Sequence, residues 1–415
     1  MSETSKIAQK AWLPQGGELV EDWEFRKYLD STKSLFPGEF SVYNYESADV
    51  EDISGNINRV KRVKFKDTVN NTALIIKHVP KDGTLARFPT IQFSPSRLEY
   101  DRMWLKFASD ALKENTRLRV PKIYHFDPEL RCMVMQDLGL DSLAQALSKN
   151  HFTHEELVKS VADIGEGLAG IHFRQTIAET MDEYGANRTS SDNSKITFMP
   201  NPAARENRPY IFSLHLDRPD LVAELWRNSN HAIISLDERL SYQFRFIEKY
   251  AERIKPVMNQ LVSKLDEKEG AVFVHGDLHT GSLILRESNP LAIGIIDAEL
   301  ADFGPAGLDL GLLLAHLIAG INFNFNKVPE IAESFIGSYV RRSASFENAK
   351  SPTLEDVCLY TGAEILRRLM GPAGFNSPIE KEKFEFLLEF SCKLILEPTK
   401  SSRNLFPELT REQNG

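Results

Sequence analysis

Three carboxylates stand close together in one short part of the chain. Asp277 lies in His275-Gly-Asp277-Leu-His279-Thr-Gly-Ser282, and Asp297 and Glu299 follow in Ile295-Ile-Asp297-Ala-Glu299. Apolar runs precede both, Val272-Phe-Val274 and Leu291-Ala-Ile-Gly-Ile-Ile296, so each acid reads as the residue a short strand delivers to a cleft. At i and i+2 of an extended segment, Asp297 and Glu299 face the same side, which suits two adjacent oxygen ligands for Mg²⁺. Phosphoryl transfer to an alcohol needs positioning and neutralised charge more than covalent help. The pattern is that of a Mg²⁺-dependent phosphotransferase. Asp277 would be the catalytic residue that orients the attacking hydroxyl, and Asp297 and Glu299 would hold the metal on a triphosphate.

Other residues fit around that centre. Ser282 lies five residues after Asp277, where protein kinases carry a metal-binding Asn. As a weaker donor to a hard cation, it either ligates the metal or holds a metal-bound water. His275 reads as a structural residue of its loop. Asp302-Phe303-Gly304 spells another kinase metal motif, but it follows Glu-Leu-Ala rather than an apolar strand, and it reads as coincidence. Upstream, Gly55-Asn56-Ile57-Asn58 lies between two expected strands and is either a hairpin turn or a loop whose backbone approaches phosphates. Lys77 ends the next strand, placed to meet α- and β-phosphates, and Glu99 on the following helix is its expected ion-pair partner. Met135-Gln-Asp137 closes the last strand of this part, where backbone groups would take adenine.

These residues need elements to hold them. Alternation and short apolar runs predict strands over 39–45, 57–65, 72–77, 122–126 and 131–135, with a helix over 96–113. Long helical periodicities follow over 155–174 and 235–265, the second broken or kinked at Pro256. Between them, 177–232 is rich in Asn, Pro and Arg and reads as loops and short elements that could cover a substrate. Short strands return over 271–274, 283–286 and 291–296. Helices then occupy about 306–320, 328–345, 354–371 and 378–397, and the polar tail beyond is expected to fray. The fold class is α+β: a strand-rich N-lobe over 1–137 and a mainly helical C-lobe over 138–415.

The chain's 415 residues are long enough for two such lobes, and its 42% hydrophobic and 26% charged residues are ordinary for a globular protein. A net charge of −9 argues against nucleic acid or an anionic membrane as partner. No apolar run approaches a bilayer span, and the N-terminus carries no apolar signal region, so a cytoplasmic location is expected. Cys132, Cys358 and Cys392 lie far apart and read as buried reduced thiols.

Taken together, the motifs resemble the aminoglycoside phosphotransferase and choline kinase-like branch of the bilobal protein-kinase-like fold. Within that branch they are most similar to the methylthioribose kinase family, whose catalytic loop reads HGDLHTGS as residues 275–282 do. The family's D-x-E segment and G-P-x-G-x-D stretch resemble Asp297-Ala-Glu299 and Gly304-Pro-Ala-Gly307-Leu-Asp309. Its G-N-L-N loop resembles Gly55-Asn56-Ile57-Asn58, and its strand lysine resembles that of Leu-Ile-Ile-Lys77. Val120-Pro-Lys-Ile-Tyr124 and the pair Arg367-Arg368 with Gly371 also have counterparts. The resemblance runs in order from about residue 20 to 372.

It implies ATP and Mg²⁺ as cofactors and phosphorylation of the 1-hydroxyl of 5-methylthioribose. It also implies Arg367 and Arg368 as contacts to that substrate or to the transferred phosphate, against the alternative of a solvated helix face, and a homodimer. Asp309 would cap its helix or brace the catalytic loop. The chain departs from the family where Leu85-Ala-Arg87-Phe88-Pro89 stands in place of a tryptophan-bearing loop, and the 177–232 stretch matches loosely. A kinase for another sugar, an amino alcohol or an aminoglycoside, and a catalytically silent nucleotide-binding protein, are the competing readings.

Overall fold

The computed structural model describes residues 18–53, 57–65, 73–85, 90–115, 117–139, 141–174, 200–227, 236–286, 292–320, 325–347, 349–375 and 379–414. Helix α1 (Asp22–Thr32) and a single turn, α2 (Gly38–Ser41), come first. Strands β1 (Asp49–Asp52), β2 (Arg59–Lys64) and β3 (Ala73–His78) follow, then α3 (Arg97–Ala111), β4 (Leu118–Arg119), β5 (Ile123–Asp127) and β6 (Cys132–Gln136). β1, β2, β3, β6 and β5 lie in that order in one antiparallel sheet.

All six residues of β3 are buried, because both faces of the sheet are covered. The pleat divides them. Leu74 and Ile76 join Phe25, Tyr28 and Leu29 of α1 in one core, whereas Ile75 packs with Leu98, Met103 and Trp104 of α3 in the other. Lys77 shares the parity of Ile75, and is thereby turned toward α3 and the rest of the chain.

The remainder is mainly helical. In order come α4 (Leu143–Ser148), α5 (His154–His172), α6 (Pro202–Phe212), α7 (Leu214–Asp217), α8 (Pro219–Arg227) and α9 (Leu236–Lys264). Strands β7 (Val272–Val274), β8 (Leu283–Arg286), β9 (Ala292–Ile295) and β10 (Asp302–Gly304) follow. The chain continues with α10 (Gly307–Gly320), α11 (Val328–Ser343), α12 (Leu354–Met370), α13 (Lys381–Leu396), α14 (Pro398–Leu405) and α15 (Pro407–Asn414). β10 pairs with β7, and β9 lies between β8 and β4. The architecture is α+β, a strand-rich first part followed by a mainly helical one.

Two expectations fail, and a third is narrowed. The alternation in 39–45 does not make a strand. Pro37 begins a helical turn instead, and Phe40 and Tyr45 are both buried in the core beneath the sheet, which a one-sided strand would not allow. The tail beyond Glu397 does not fray. Leu405 and Phe406 are buried, and α14 packs on α11, α12 and α13, so apolar burial outweighs the tail's polar composition. α9 is not broken at Pro256 but runs through it as one helix of 29 residues, which leaves the kink of the two alternatives. The expected thiols hold: all three cysteines are buried and free. No helix among the described residues is long and apolar enough to cross a membrane.

α5 packs closely on α11, and Gly165 sets their distance. A Cβ there would stand 2.2 Å from the carbonyl oxygen of Phe335, whereas one at Gly170 would meet nothing within 4 Å. Gly165→Ala should lower stability by about 1–3 kcal/mol through overpacking. Gly170→Ala, which gains helix propensity in open space, should raise it by up to about 1 kcal/mol. Urea denaturation of the two variants side by side checks the pair, and equal effects would contradict the packing argument.

Candidate active site

Lys77 is buried among acids. Its Nζ donates to Oδ2 of Asp101 at 2.6 Å and to Oδ1 of Asp297, with Oε2 of Glu299 at 3.9 Å. Burial works against its charge, but Asp101, Asp297 and Glu299 together raise its pKa above the ordinary lysine range. Glu99 is not the partner. It lies two residues from Asp101, about 200° around α3, and is 41% exposed beside Arg102 at 4.0 Å. Asp101 shares the inward face with Arg97 and Trp104. Its Oδ1 also accepts from the backbone N–H of Ala298, between the two metal-type carboxylates, so it fixes both the lysine and their segment.

That segment is held from several sides. Asp297 follows β9 with φ of +72°, a left-handed conformation that Asp tolerates better than most residues, and its side chain is half exposed. Burial raises the pKa of Glu299, which is enclosed and accepts from Nδ2 of Asn58. The pKa of Asp297 is lowered: burial pushes it up, but the ammonium of Lys77 outweighs that. Asn201 of the polar stretch donates to the carbonyls of Glu299 (2.8 Å) and Ala301 (3.0 Å). Asp302 sits apart in β10, facing Val274 in register, and accepts from the N–H of Phe303. Asn58 is therefore brought to the centre, whereas Gly55 and Asn56 lie outside the described residues, as do Arg87, Phe88 and Pro89.

The loop of Asp277 is braced from behind. Asp309, at the start of α10, accepts from the N–H groups of His275 (2.7 Å) and Gly276 (2.9 Å), and lies 3.2 Å from Nε2 of His172. Gly276 has φ of +82°, and a Cβ there would stand 2.1 Å from the carbonyl oxygen of Leu300. His275 is fully buried, edge-on to Trp104, with Nε2 2.9 Å from the carbonyl oxygen of Ile296. This is the structural role expected of it. Ser282 closes the loop by donating to the carbonyl of His279 at 2.8 Å and accepting from its N–H at 3.1 Å.

Asp277 meets both arginines of α12. Nη2 of Arg367 is 3.1 Å and Nη2 of Arg368 is 3.5 Å from the same oxygen, Oδ1. Burial would raise its pKa, but Arg367, His279 and Arg368 hold it down at about 2. The pair is no solvated helix face: both arginines are buried. Glu364, one turn earlier and fully buried, accepts from Nε of Arg367 at 2.6 Å and from Nε of Arg368 at 2.6 Å. Its Oε1 is also 3.1 Å from Nε2 of His316, whose ring stacks on His279 with centroids 5.1 Å apart. Arg367, Arg368 and Asp277 line a cleft together with Asn207, Tyr210 and an apolar wall that includes Ile57, Phe93 and Leu300.

In the strand next to the sheet's far edge, β6, Met135 is buried between Ile75 and Ile123. The carboxylate of Asp137 is taken by Arg62 at 2.6 Å and by the N–H of Gly139 at 2.9 Å, so its side chain fixes the bend after β6. Asp101, Arg97 and Glu364 were missed by sequence reasoning. Spacing held the only clue to two of them: Asp101 lies four residues after Arg97, and Glu364 lies three and four before the arginine pair.

The Lys77 contacts predict that Asp101→Asn costs about 1.5–3 kcal/mol, the scale of a buried hydrogen bond to a charged group. Glu99→Gln should stay within about 0.5 kcal/mol, as exposed changes do. Calorimetric melting of both variants decides between them. A pH effect follows from the histidines. Burial pushes His279 down to about 3 and, with Arg368, His316 to about 4. The unfolded chain takes up these protons near pH 6.5, whereas the folded one does not. Their stability is thus complete above pH 6.5 and lost progressively toward pH 4. A melting temperature that is flat from pH 7 to 5 would contradict this.

Several known proteins resemble this chain. A methylthioribose kinase of Yersinia pestis (strain Pestoides F) is 24% identical over 356 residues, 77% of each chain. Another, from Bacillus velezensis, is 22% identical over 374 residues, 79% of this chain and 82% of its own. Among solved structures, an ethanolamine kinase of Plasmodium vivax aligns with a TM-score of 0.47 at 13% identity, over 97% of this chain and 96% of its own. The family model described as the phosphotransferase enzyme family matches residues 54–340, and the chain belongs to that family of enzymes.

Proposed function

We propose that the protein is an ATP- and Mg²⁺-dependent kinase that phosphorylates the 1-hydroxyl of 5-methylthioribose, with residues 1–137 and 138–415 as its two lobes. The observation that carries the acceptor class is the cleft beside Asp277. It sets two guanidinium groups and one carboxylate against an apolar wall. That lining suits a neutral polyol with an apolar substituent. With Glu364 behind them, the two arginines and Asp277 sum to no net charge, so the cleft offers a cationic amino alcohol or aminoglycoside no net negative field to hold it. The methylthioribose kinases among the relatives support the same choice.

The donor set fits Mg²⁺. Asp297 and Glu299 supply hard oxygen ligands, and among the described residues no three His, Cys, Asp or Glu side chains form a closed metal cage. Mg²⁺ is ordinarily held by one or two carboxylates, with phosphates and water completing the shell. Bound there, the metal would neutralise charge on the polyphosphate. Lys77, always protonated among its acids, would turn from Asp297 to the phosphates while Asp101 retains it. Asp277, at a pKa of about 2, is too weak a base to strip an alcohol early. Its task is to accept a hydrogen bond through Oδ2 and aim the hydroxyl, receiving the proton late, as a loose transition state allows. Arg367 and Arg368 hold Oδ1 and stand where the acceptor's new phosphate would form.

The test is ADP release from Mg-ATP with 5-methylthioribose, ribose, choline and an aminoglycoside as parallel acceptors. Methylthioribose should exceed ribose by about 10- to 200-fold in kcat/KM, the range an apolar substituent contributes in a fitted pocket. Turnover with choline but not methylthioribose would overturn the acceptor while leaving the phosphotransferase in place.

A further inference from the structure

Arg97 opens α3 and is completely buried, a costly place for a guanidinium unless its donors are met. Nη1 donates to the carbonyls of Phe93 (2.8 Å), Gly83 (3.3 Å) and Ser94 (3.3 Å). Nε donates to Oδ1 of Asn58 at 3.0 Å and lies 3.6 Å from Oε2 of Glu299. Nη2 has no hydrogen-bond partner among the described residues. The guanidinium is planar, and Nε–H runs parallel to one N–H of Nη2 along a single edge, the fork that fits two oxygens of a carboxylate or phosphate. The edge turned toward Asn58 and Glu299 therefore carries an unused donor.

That edge sits where polyphosphate and metal carboxylate would meet. Asn58 belongs to the expected phosphate loop, Glu299 is one of the two acids suited to Mg²⁺, and Lys77 Nζ is 3.9 Å from the same Glu299 oxygen. Lys77 Nζ and Arg97 Nε flank the same Glu299 oxygen, at 3.9 and 3.6 Å, so a nucleotide that reaches Lys77 reaches the neighbourhood of Arg97 as well. Burial lowers the pKa of Arg97 from the ordinary arginine range, and Glu299, Glu206, Asp297 and Asp82 work against that.

We propose that Arg97 is a further phosphate-binding residue, whose Nε–Nη2 edge donates to a non-bridging oxygen of the nucleotide's polyphosphate. The inference rests on reading the cleft as the Mg-ATP site. It gives the enzyme two cations on the phosphates from different elements, Lys77 from β3 and Arg97 from the start of α3.

The experiment uses the full-length protein and measures binding rather than turnover. ATP, ADP, AMP and adenosine are titrated with Mg²⁺ into the wild type, Arg97→Lys and Arg97→Gln, with a melting curve for each. Arg97→Lys keeps the charge and loses the fork; Arg97→Gln loses both and serves if the lysine variant does not fold. The expected result is a loss of about 10- to 100-fold for ATP in a folded variant, the scale of a charge-assisted hydrogen bond. Adenosine binding should be unchanged, with AMP and ADP falling between. An equal loss for all four ligands would make Arg97 a brace of the loop and overturn the proposal, as would unchanged ATP affinity. Failure of the wild type to bind ATP would remove the Mg-ATP site itself.

Discussion

The ion cluster on Lys77 is the constraint around which the site is organised. A lysine in the middle of a fully buried strand is tolerable only with charge beside it, and three acids supply it from two distant parts of the chain. Asp101 comes with α3, which packs on the sheet, whereas Asp297 and Glu299 come with the turn after β9. Because Asp101 also accepts from Ala298, the sheet, the helix and the metal-type segment share one junction. Separating the two halves of the chain at this point would break the Lys77–Asp297 ion pair and the hydrogen bond from Ala298 to Asp101. The electrostatic cost of that separation helps to keep the cleft in register.

A second charged cluster complements the first. Glu364 neutralises Arg367 and Arg368 from behind, while Asp277 meets them in front. Two arginines between two carboxylates sum to no net charge, so burying the group is affordable without a counter-ion. The neutral His316, within hydrogen-bond distance of Glu364, and His279 stacked on it extend the same group into the catalytic loop. The two clusters meet at the ends of β7 and β9, with Asp277 on one and Asp297 on the other.

Much of this was legible in the sequence, and the exceptions have physical reasons. Acids that follow apolar runs were recoverable because a strand delivers its next residue to an edge, which is how Asp277, Asp297 and Glu299 could be picked out. The choice of Asp297 over Asp302 rested on the same logic, and only Asp297 touches Lys77. The helix partner was misplaced because α3 carries two acids near its start, and only the rotation of the helix about its axis decides which one faces the sheet. The arginine pair could be located but not oriented, since a solvated face and a buried one share the same spacing when the neutralising acid is on the same helix. The short helix at 38–41 escaped because alternation cannot distinguish a strand from aromatic residues that pack irregularly under a sheet. Only a resemblance, not any pattern of residue types, pointed to the acceptor.

The packing of α14 and α15 bears on how the molecule is made. α12, which carries Arg367 and Arg368, is covered by α14, and α11 by both α14 and α15. During synthesis the nascent polypeptide presents α12 to water, with its apolar back open, until residues 398–414 have left the ribosome. The cover of α12 is therefore completed only late in translation, after its arginine pair and the acids that hold it have all been made.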